Sequence, residues 1–326
     1  MKTLLSGIQP SGELHIGNYL GAIKQWVDLQ KSYRVFITIV DLHAITVPQD
    51  PNNLRENTLE TAALLIACGI NPKKSVLFVQ SHVPAHIELM WILSTLTPVG
   101  ELERMTQYKE KKEKAGLLAG LLNYPVLQAA DILLYQPDVV PVGEDQLQHL
   151  ELTRTLVRKF NNRFGRVFKE PKAFIQKDTA RIMALDDPTK KMSKSAASPN
   201  NYISLLDSPD AVRKKIKIAV TDSGSEVRYD EKGKPAISNL LAVYSAFSGN
   251  PVTDIENRYR GKGYSEFKND LAELLVAKLA PIQKKYMTLT KNKKALCTIL
   301  DKGAEQANAV AKKTLCLVKE KMGFIL

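Results

Sequence analysis

The chain has 326 residues, 44% of them apolar and 25% charged, a composition typical of folded globular proteins that excludes a disordered or collagen-like chain. This length predicts two domains. Three cysteines without a CxxC pair exclude a disulfide framework and a cysteine-rich metal site, so a reducing compartment, the cytoplasm, is expected. The longest apolar stretch, residues 115–135, is interrupted by Asn123, Pro125, Gln128 and Asp131 and predicts no membrane span.

Charge is divided unevenly along the chain. The net charge is +12, from 46 lysines and arginines against 34 acidic residues. Residues 1–150 carry 12 basic and 15 acidic residues, a net charge of −3, whereas residues 151–326 carry 34 and 19, a net charge of +15. The second half is therefore predicted to bind a polyanion, with nucleic acid as the first candidate. A solvated lysine-rich surface explains the same composition equally well.

In the first half, short apolar or β-branched runs alternate with stretches of helical spacing. Strands are predicted at residues 3–5, 35–40, 75–79 and 138–142. Helices are predicted at residues 17–33, 54–69, 88–97, 101–114, 117–135 and 146–158. The alternation predicts an α/β fold with a doubly wound parallel sheet, a Rossmann-like architecture in which ligands bind at the carboxyl ends of the strands.

The second half is predicted to be mainly helical. The spacing of apolar residues predicts helices over 210–220, 238–248, 253–260, 266–287 and 291–322, and strand signals are scarce. The segment 190–200, rich in Ser, Pro and Asn, predicts a loop between the halves. We place a domain boundary inside this loop or directly after it.

A glycine-rich segment, Ser6–Asn18, connects the first predicted strand to the first helix. Two of its glycines have the spacing of a phosphate-binding loop, but Glu13 and Leu14 stand where that loop requires Lys and Ser or Thr. The helix that begins near Gly17 still offers unpaired N–H groups beside His15, and these suit an anion. An ordinary connection with a surface histidine is equally consistent.

Two further segments have both a functional and a structural interpretation. Lys191 and Lys194 could neutralise the charge of a polyphosphate, although a solvated basic patch is the simpler interpretation. In the turn after the fourth predicted strand, Asp145 could accept hydrogen bonds from ribose hydroxyls, and Gln146 could both donate and accept. The same turn is also a favourable polar start for a helix.

The most specific pattern is a polar stripe on an apolar helix. Tyr124, Gln128, Asp131 and Tyr135 are spaced by 4, 3 and 4 residues and share one face. Such a stripe costs free energy to bury unless it binds something. A carboxylate among aromatic rings suits a flat ligand that has one N–H or O–H to donate, and a stripe facing solvent is the alternative.

Several segments together carry a family resemblance. The sequence resembles the bacterial-type tryptophanyl-tRNA synthetases, which are class I aminoacyl-tRNA synthetases. The resemblance runs from end to end and rests on six segments in the expected order: Ser6–Gly12, His15–Asn18, Val40–Thr46, Gly143–Gln146, Lys191–Ser195 and Ala219–Ser223. It implies a ligase that forms tryptophanyl-adenylate and pyrophosphate from ATP and L-tryptophan, then transfers tryptophan to tRNA(Trp) with release of AMP.

The resemblance also implies roles for individual residues. Catalytic roles are implied for four residues: His15, Asn18, Lys191 and Lys194. The segments His15–Asn18 and Lys191–Ser195 resemble the two signature segments of class I synthetases. ATP binding is implied for residues of these two segments, of Ser6–Gly12 and of Gly143–Gln146, and for Ile182: Gln9, Pro10, Ser11, Gly17, Asn18, Gly143, Glu144, Asp145, Ile182, Lys191, Met192, Ser193, Lys194 and Ser195. Tryptophan binding is implied for Asp131, which accepts the indole N–H, and for Tyr124, Gln128, His43, Gln146 and Gln9. ATP is a substrate that brings Mg²⁺ with it, and no metal is held by protein side chains.

The domain organisation and partners follow from the same resemblance. Residues 1–195 are expected to form the catalytic domain, with a helical insertion over about 84–135 for the amino-acid pocket and the dimer contact. Residues 196–290 are expected to form the helical domain on the anticodon side, and residues 291–326 a helical segment that packs back on the catalytic domain. A cytoplasmic homodimer that binds tRNA(Trp), ATP and L-tryptophan is implied, with no membrane and no DNA as partners.

Two residues depart from the family pattern. His15 replaces a Thr that is common there, which moves the segment toward the general class I signature. Gln128 stands where many members have a Met, and some tyrosine-specific synthetases also have Tyr, Gln and Asp on this helix. A tyrosine-specific relative is therefore one alternative, and a catalytically silent tRNA-binding paralogue is another.

Overall fold

The computed structural model describes residues 1–10, 13–106, 108, 118–174, 182–193 and 198–326, and for Glu144 the backbone alone. Three residues with implied roles therefore lie outside the described residues: Ser11, Lys194 and Ser195. Half of the helix predicted over 101–114 lies outside them as well.

A parallel sheet combines four strands of the first half of the chain with one strand, β5, from the start of the second. Its strands are β1 (Lys2–Ile8), β2 (Tyr33–Ile39), β3 (Ser75–Val79), β4 (Val139–Pro141) and β5 (Lys172–Phe174). The strand order is β3-β2-β1-β4-β5, and every neighbouring pair is parallel. The predicted doubly wound α/β fold is confirmed. Its chain order reverses between β1 and β4, the place where such sheets bind ligands.

Helices of the first half cover both faces of the sheet. They are α1 (Ile16–Asn18), α2 (Lys24–Leu29), α3 (Asp41–Ala44), α4 (Pro51–Ala67), α5 (Ala85–Ser94), α6 (Val99–Glu103), α7 (Ala119–Leu134) and α8 (Leu147–Phe164). A π-helical turn, Tyr19–Ile23, joins α1 to α2. Helix α4 begins where Asp50 accepts from two backbone N–H groups and a proline takes the first helical position, a favourable start for a helix.

Apart from β5, the regular elements of the described second half are helical, as predicted. Its helices are α9 (Pro209–Ile218), α10 (Pro235–Ser248), α11 (Val252–Arg258), α12 (Tyr264–Thr290) and α13 (Lys293–Met322). Asp222 stabilises the start of α10 from a distance, because its carboxylate accepts from the N–H groups of Ala236 and Ile237. This contact explains why an acidic residue stands in the segment Ala219–Ser223.

Two apolar clusters lie on the two faces of the sheet. One contains Leu4 and Ile37 and continues into the second half, where it includes Leu240 and Phe267. The other contains Phe36 and buries residues of α5, α7 and α8. Because alternate residues of a strand point to opposite faces, neighbouring residues of β1 and β2 belong to different clusters. The second cluster contains residues of α7 and of the strands β1 and β4, and it supports the candidate active site from below.

The C-terminal helix α13 packs along β3, the edge strand. Thr314 Oγ1 donates to the carbonyl of Leu134, and Lys319 Nζ lies 2.8 Å from Glu88 Oε1. At the closest approach Gly303 lies against the backbone of Leu77, where a Cβ atom would be 1.8 Å from the carbonyl oxygen. Only glycine allows this distance.

Replacing this glycine tests how closely α13 packs on the sheet. Gly303→Ala should lower the free energy of unfolding by about 1–3 kcal/mol, because overpacking outweighs the roughly 1 kcal/mol that alanine gains in a helix. Chemical denaturation monitored by circular dichroism measures the change. Gly120→Ala is the matched control, because a Cβ at Gly120 meets nothing within 4 Å. Equal stability of the two variants would contradict the close packing.

Candidate active site

A cavity of about 420 Å³ opens at the carboxyl ends of β1 and β4. Its floor is the sheet, including Leu5, Gly7, Thr38 and Val140, and one wall is the face of α7 that carries Gln128, Asp131 and Ile132. His43, Gln9 and Gln146 complete the lining at the ends of the strands. The volume lies in the range of sites for small ligands, and the location is the point where the strand order reverses.

The cavity is built around a buried carboxylate. Asp131 is only 4% exposed, and three side chains bind it. Its Oδ1 atom lies 2.7 Å from Gln80 Nε2 and 2.6 Å from His86 Nδ1. Its Oδ2 atom lies 2.8 Å from His43 Nε2. Each partner comes from a different element, because Gln80 follows β3, His43 belongs to α3 and His86 belongs to α5.

These contacts keep the carboxylate charged. Burial alone would raise the pKa of Asp131, but the hydrogen bonds from His43 and His86 outweigh burial and hold that pKa well below its ordinary value. An ionised carboxylate only accepts, so both histidines must donate to it. An ionised carboxylate has about four acceptor positions, and three are used. No described residue donates to the remaining acceptor position of Asp131.

A second layer fixes the orientation of His86. In the neutral imidazole whose Nδ1 donates to Asp131, Nε2 accepts, and the hydroxyl of Tyr135 at 2.8 Å is the donor. Burial raises the pKa of Tyr135, so this hydroxyl keeps its proton. Tyr135 belongs to the polar stripe predicted from sequence, but it faces His86 and not the cavity. Gln80, His86 and Tyr135 were not predicted as site residues.

Tyr124 also supports the site from behind. Its ring packs edge-on against His43 with 6.1 Å between centroids, and its hydroxyl lies 3.1 Å from His149 Nε2. The structure thus brings the implied tryptophan-binding residues Asp131, Gln128, His43, Gln146 and Gln9 to one cavity, with Tyr124 packed against His43.

The turn after β4 is linked to the cavity by side-chain amides. Gln146 donates from Nε2 to Asp145 Oδ2 at 2.7 Å, and Gln128 donates from Nε2 to Gln146 Oε1 at 3.2 Å. The Asp145 carboxylate lies over Gly143, where a Cβ would be 2.7 Å from Oδ1. Gly143 is therefore needed for this position of Asp145.

His15 has a structural contact that the sequence did not predict. Its Nδ1 accepts from the N–H of Gly17 at 3.1 Å, and Asn18 Oδ1 accepts from the N–H of His15, so the two residues cap α1 reciprocally. A Cβ on Gly17 would lie 2.9 Å from the His15 ring. Gly17 therefore makes room for this imidazole, and its own N–H is paired with His15 rather than left unpaired for an anion as predicted.

The second signature segment lies beside the first. A Cβ on Gly17 would be 3.7 Å from Met192 Cβ, and the N–H of Met192 donates to the carbonyl of Ile182. Lys191 is exposed and pairs through its backbone with Met183, while Ser193 donates its N–H to Asn201 Oδ1. The described ATP-binding candidates are thus divided among three places. Gly17, Asn18, Ile182, Lys191, Met192 and Ser193 lie where the two segments meet, Gly143 and Asp145 lie in the turn 143–146, and Gln9 lines the cavity with Pro10 next in the chain.

The described residues contain no group of three or more His, Cys, Asp or Glu side chains placed to hold a metal ion. None of their helices is long and apolar enough to cross a membrane.

The sequence was compared with known families. The model of the family described as tRNA synthetases class I (W and Y), the tryptophan and tyrosine enzymes, matches residues 1–280. The chain belongs to the class I tRNA synthetases. The segments Ser6–Gly12, His15–Asn18 and Lys191–Ser195 of this synthetase lie within the matched region.

Individual relatives extend the match to the whole chain of the synthetase. It is 56% identical to the tryptophan–tRNA ligase of Caldanaerobacter subterraneus subsp. tengcongensis, covering 100% of this chain and 99% of that protein. It is 56% identical to the tryptophan–tRNA ligase of Bacillus anthracis, and the match covers 99% of this chain and 98% of that protein.

Solved structures of class I tRNA synthetases superpose closely on this one. The tryptophanyl-tRNA synthetase of Mycoplasma pneumoniae has a TM-score of 0.91 at 40% identity, covering 100% of this chain and 98% of that one. The tryptophanyl-tRNA synthetase of Campylobacter jejuni, complexed with ADP and tryptophan, has a TM-score of 0.87 at 40% identity, and the match covers 99% of this chain and 100% of that one.

Asp131→Asn tests the charged network of this synthetase. The amide group brings two new donors to a place where three donors already converge, so the free energy of unfolding should fall by about 1–3 kcal/mol at pH 7. Folding lowers the pKa of Asp131, so its contribution to stability is present above the unfolded value of about 4 and is lost as the pH falls through the folded value.

Urea unfolding of both proteins between pH 8 and pH 3 measures this effect. The difference in the free energy of unfolding between wild type and variant should stay constant down to about pH 4 and become smaller below that pH. Asp28→Asn is the control, because Asp28 is an exposed carboxylate paired with Lys31 and should change stability by less than about 0.5 kcal/mol. A difference that grows as the pH falls would contradict an ionised Asp131.

Proposed function

We propose that this class I synthetase joins L-tryptophan to ATP as tryptophanyl-adenylate and then transfers tryptophan to tRNA(Trp). The observation that carries the proposal is the buried Asp131, which has one acceptor position that no described residue uses and lies at the wall of a cavity whose floor presents the apolar side chains of Leu5 and Val140. Indole is a flat apolar ring with one N–H, so its shape and its single donor match this cavity.

Specificity follows from the same carboxylate. Phenylalanine has no ring donor and would leave the remaining acceptor position of Asp131 dry and unpaired, which a site built to accept a hydrogen bond rejects strongly. Gln9 and Gln146, at the ends of β1 and β4, are proposed to orient the amino and carboxylate groups of the substrate. The tryptophan carboxylate would then attack the α-phosphorus of ATP, and the bond to pyrophosphate would break.

ATP is proposed to bind where the two signature segments meet. The cap formed by His15 and Asn18 lies beside Met192, and the exposed Lys191 is free to approach the triphosphate and neutralise the charge of departing pyrophosphate. On the family resemblance, Ser11, Lys194 and Ser195 share this role. Mg²⁺ is proposed to enter with the nucleotide, since it commonly binds through substrate phosphates.

The tRNA is proposed to bind the basic second half. On α9 two cations are already engaged within the protein, because Arg213 forms two hydrogen bonds to Glu273 and the buried Lys215 pairs with Asp207 at 2.7 Å. Their neighbours Lys214 and Lys217 are exposed, so we assign phosphate contacts on this helix to them.

We also propose a homodimer in the cytoplasm. Helix α5, inside the predicted insertion, exposes Trp91 by 70% and Ile87 by 46%, one helical turn apart. Such neighbouring apolar side chains are typical of a surface that a second copy covers.

Amino-acid-dependent exchange between ATP and labelled pyrophosphate tests the proposed function. Tryptophan should support exchange, and tyrosine should support it at least about a hundredfold less efficiently. The phenol ring differs from indole in shape and in the position of its donor, so it cannot fill the cavity and reach the Asp131 acceptor equally well. Relatives more than half identical to this chain are tryptophan–tRNA ligases, so the tyrosine alternative is not favoured. Efficient exchange with tyrosine would contradict the substrate, and no exchange with either would revive the silent paralogue.

A further inference from the structure

The wall of the cavity carries a second acceptor next to Asp131. Gln128 lies three residues before Asp131 on α7, lines the same cavity and is half-buried. Residues at this spacing are neighbours on one helix face, with Cβ atoms about 5–6 Å apart. A single ring of indole size can therefore meet both side chains.

The hydrogen bonds determine which end of the Gln128 amide is engaged within the protein. Asp145 can only accept, so the Gln146 nitrogen must point to it and the Gln146 oxygen must point to Gln128. Gln128 then has to present its own nitrogen to Gln146. Its Oε1 atom remains, and no described residue donates to that atom.

Tryptophan cannot satisfy both acceptors. Its ring has one donor, the N–H proposed for Asp131, and an unpaired acceptor beside a bound ring costs free energy. Tyrosine has the same shortage, because its phenol is also a single donor. A hydroxylated indole carries two ring donors, one N–H and one O–H, and thus matches the number of acceptors.

We propose that Gln128 Oε1 accepts a hydrogen bond from a ring hydroxyl, so that ring-hydroxylated tryptophans are substrates for activation. This inference rests on the proposed function, because it requires tryptophan-like rings to enter this cavity. Gln128 is then a specificity-determining residue, and the amide chain to Asp145 is what orients its oxygen.

The test compares 5-, 6- and 7-hydroxytryptophan with tryptophan in the pyrophosphate exchange assay. For each protein the measured quantity is the ratio of kcat/KM for the hydroxylated substrate to kcat/KM for tryptophan. This ratio does not depend on the fraction of active enzyme, so partial misfolding of a variant does not affect it. Gln128→Met removes the acceptor at similar volume, and Leu127→Met is the control, because Leu127 is buried on the same helix but does not line the cavity.

We expect Gln128→Met to lower the ratio at least about tenfold for one hydroxylated isomer, since its hydroxyl loses a buried partner. Leu127→Met should leave the ratio within about twofold of wild type. Unchanged ratios for all three isomers in Gln128→Met would overturn the inference while tryptophan activation still supported the proposed function. A variant that loses tryptophan and the hydroxylated substrates equally would also overturn it, because Gln128 would then bind a group that they share. Absence of tryptophan exchange in the wild type would overturn the proposed function itself.

Discussion

A buried, charged carboxylate is the constraint on which the rest of the site depends. An ionised Asp131 tolerates burial only because Gln80, His86 and His43 donate to it. Those three side chains come from the ends of neighbouring strands and from the helix after β3, so the parallel sheet has to bring them to one edge. In the proposed function, specificity arises from the acceptor position of Asp131 that the described donors leave open, which a ligand with one ring donor can fill.

The same constraint explains the second layer. His86 can donate to Asp131 only in one tautomer, and the Tyr135 hydroxyl maintains that tautomer by donating to the other ring nitrogen. Tyr124 supports the ring of His43 in a comparable way. Tyr135 and Tyr124, two polar residues buried on the apolar helix α7, are therefore positioning residues for the side chains that bind the Asp131 carboxylate.

Local patterns in the sequence predicted the elements well. Alternation and helical spacing predicted β2, β3 and the long helices to within a few residues, because these signals depend on neighbours along the chain. The three-residue strand β5 was missed, since so short a run has no periodicity. The polar stripe on α7 was predicted for the same local reason, and His43 was named through the family resemblance, but Gln80 and His86 were not predicted. These two residues are separated from Asp131 by 51 and 45 residues, and only the fold brings them together.

The most direct test of the account is the binding of an amino acid that differs from tryptophan only at the ring donor. In benzothienylalanine sulfur replaces the indole N–H, so shape and apolar surface are kept and the hydrogen bond to Asp131 is lost. Isothermal titration calorimetry of both ligands to the wild-type protein measures the difference. We expect at least about tenfold weaker binding of the sulfur analogue, since the remaining acceptor position stays unpaired in a buried site. Equal affinities would contradict the central role of Asp131.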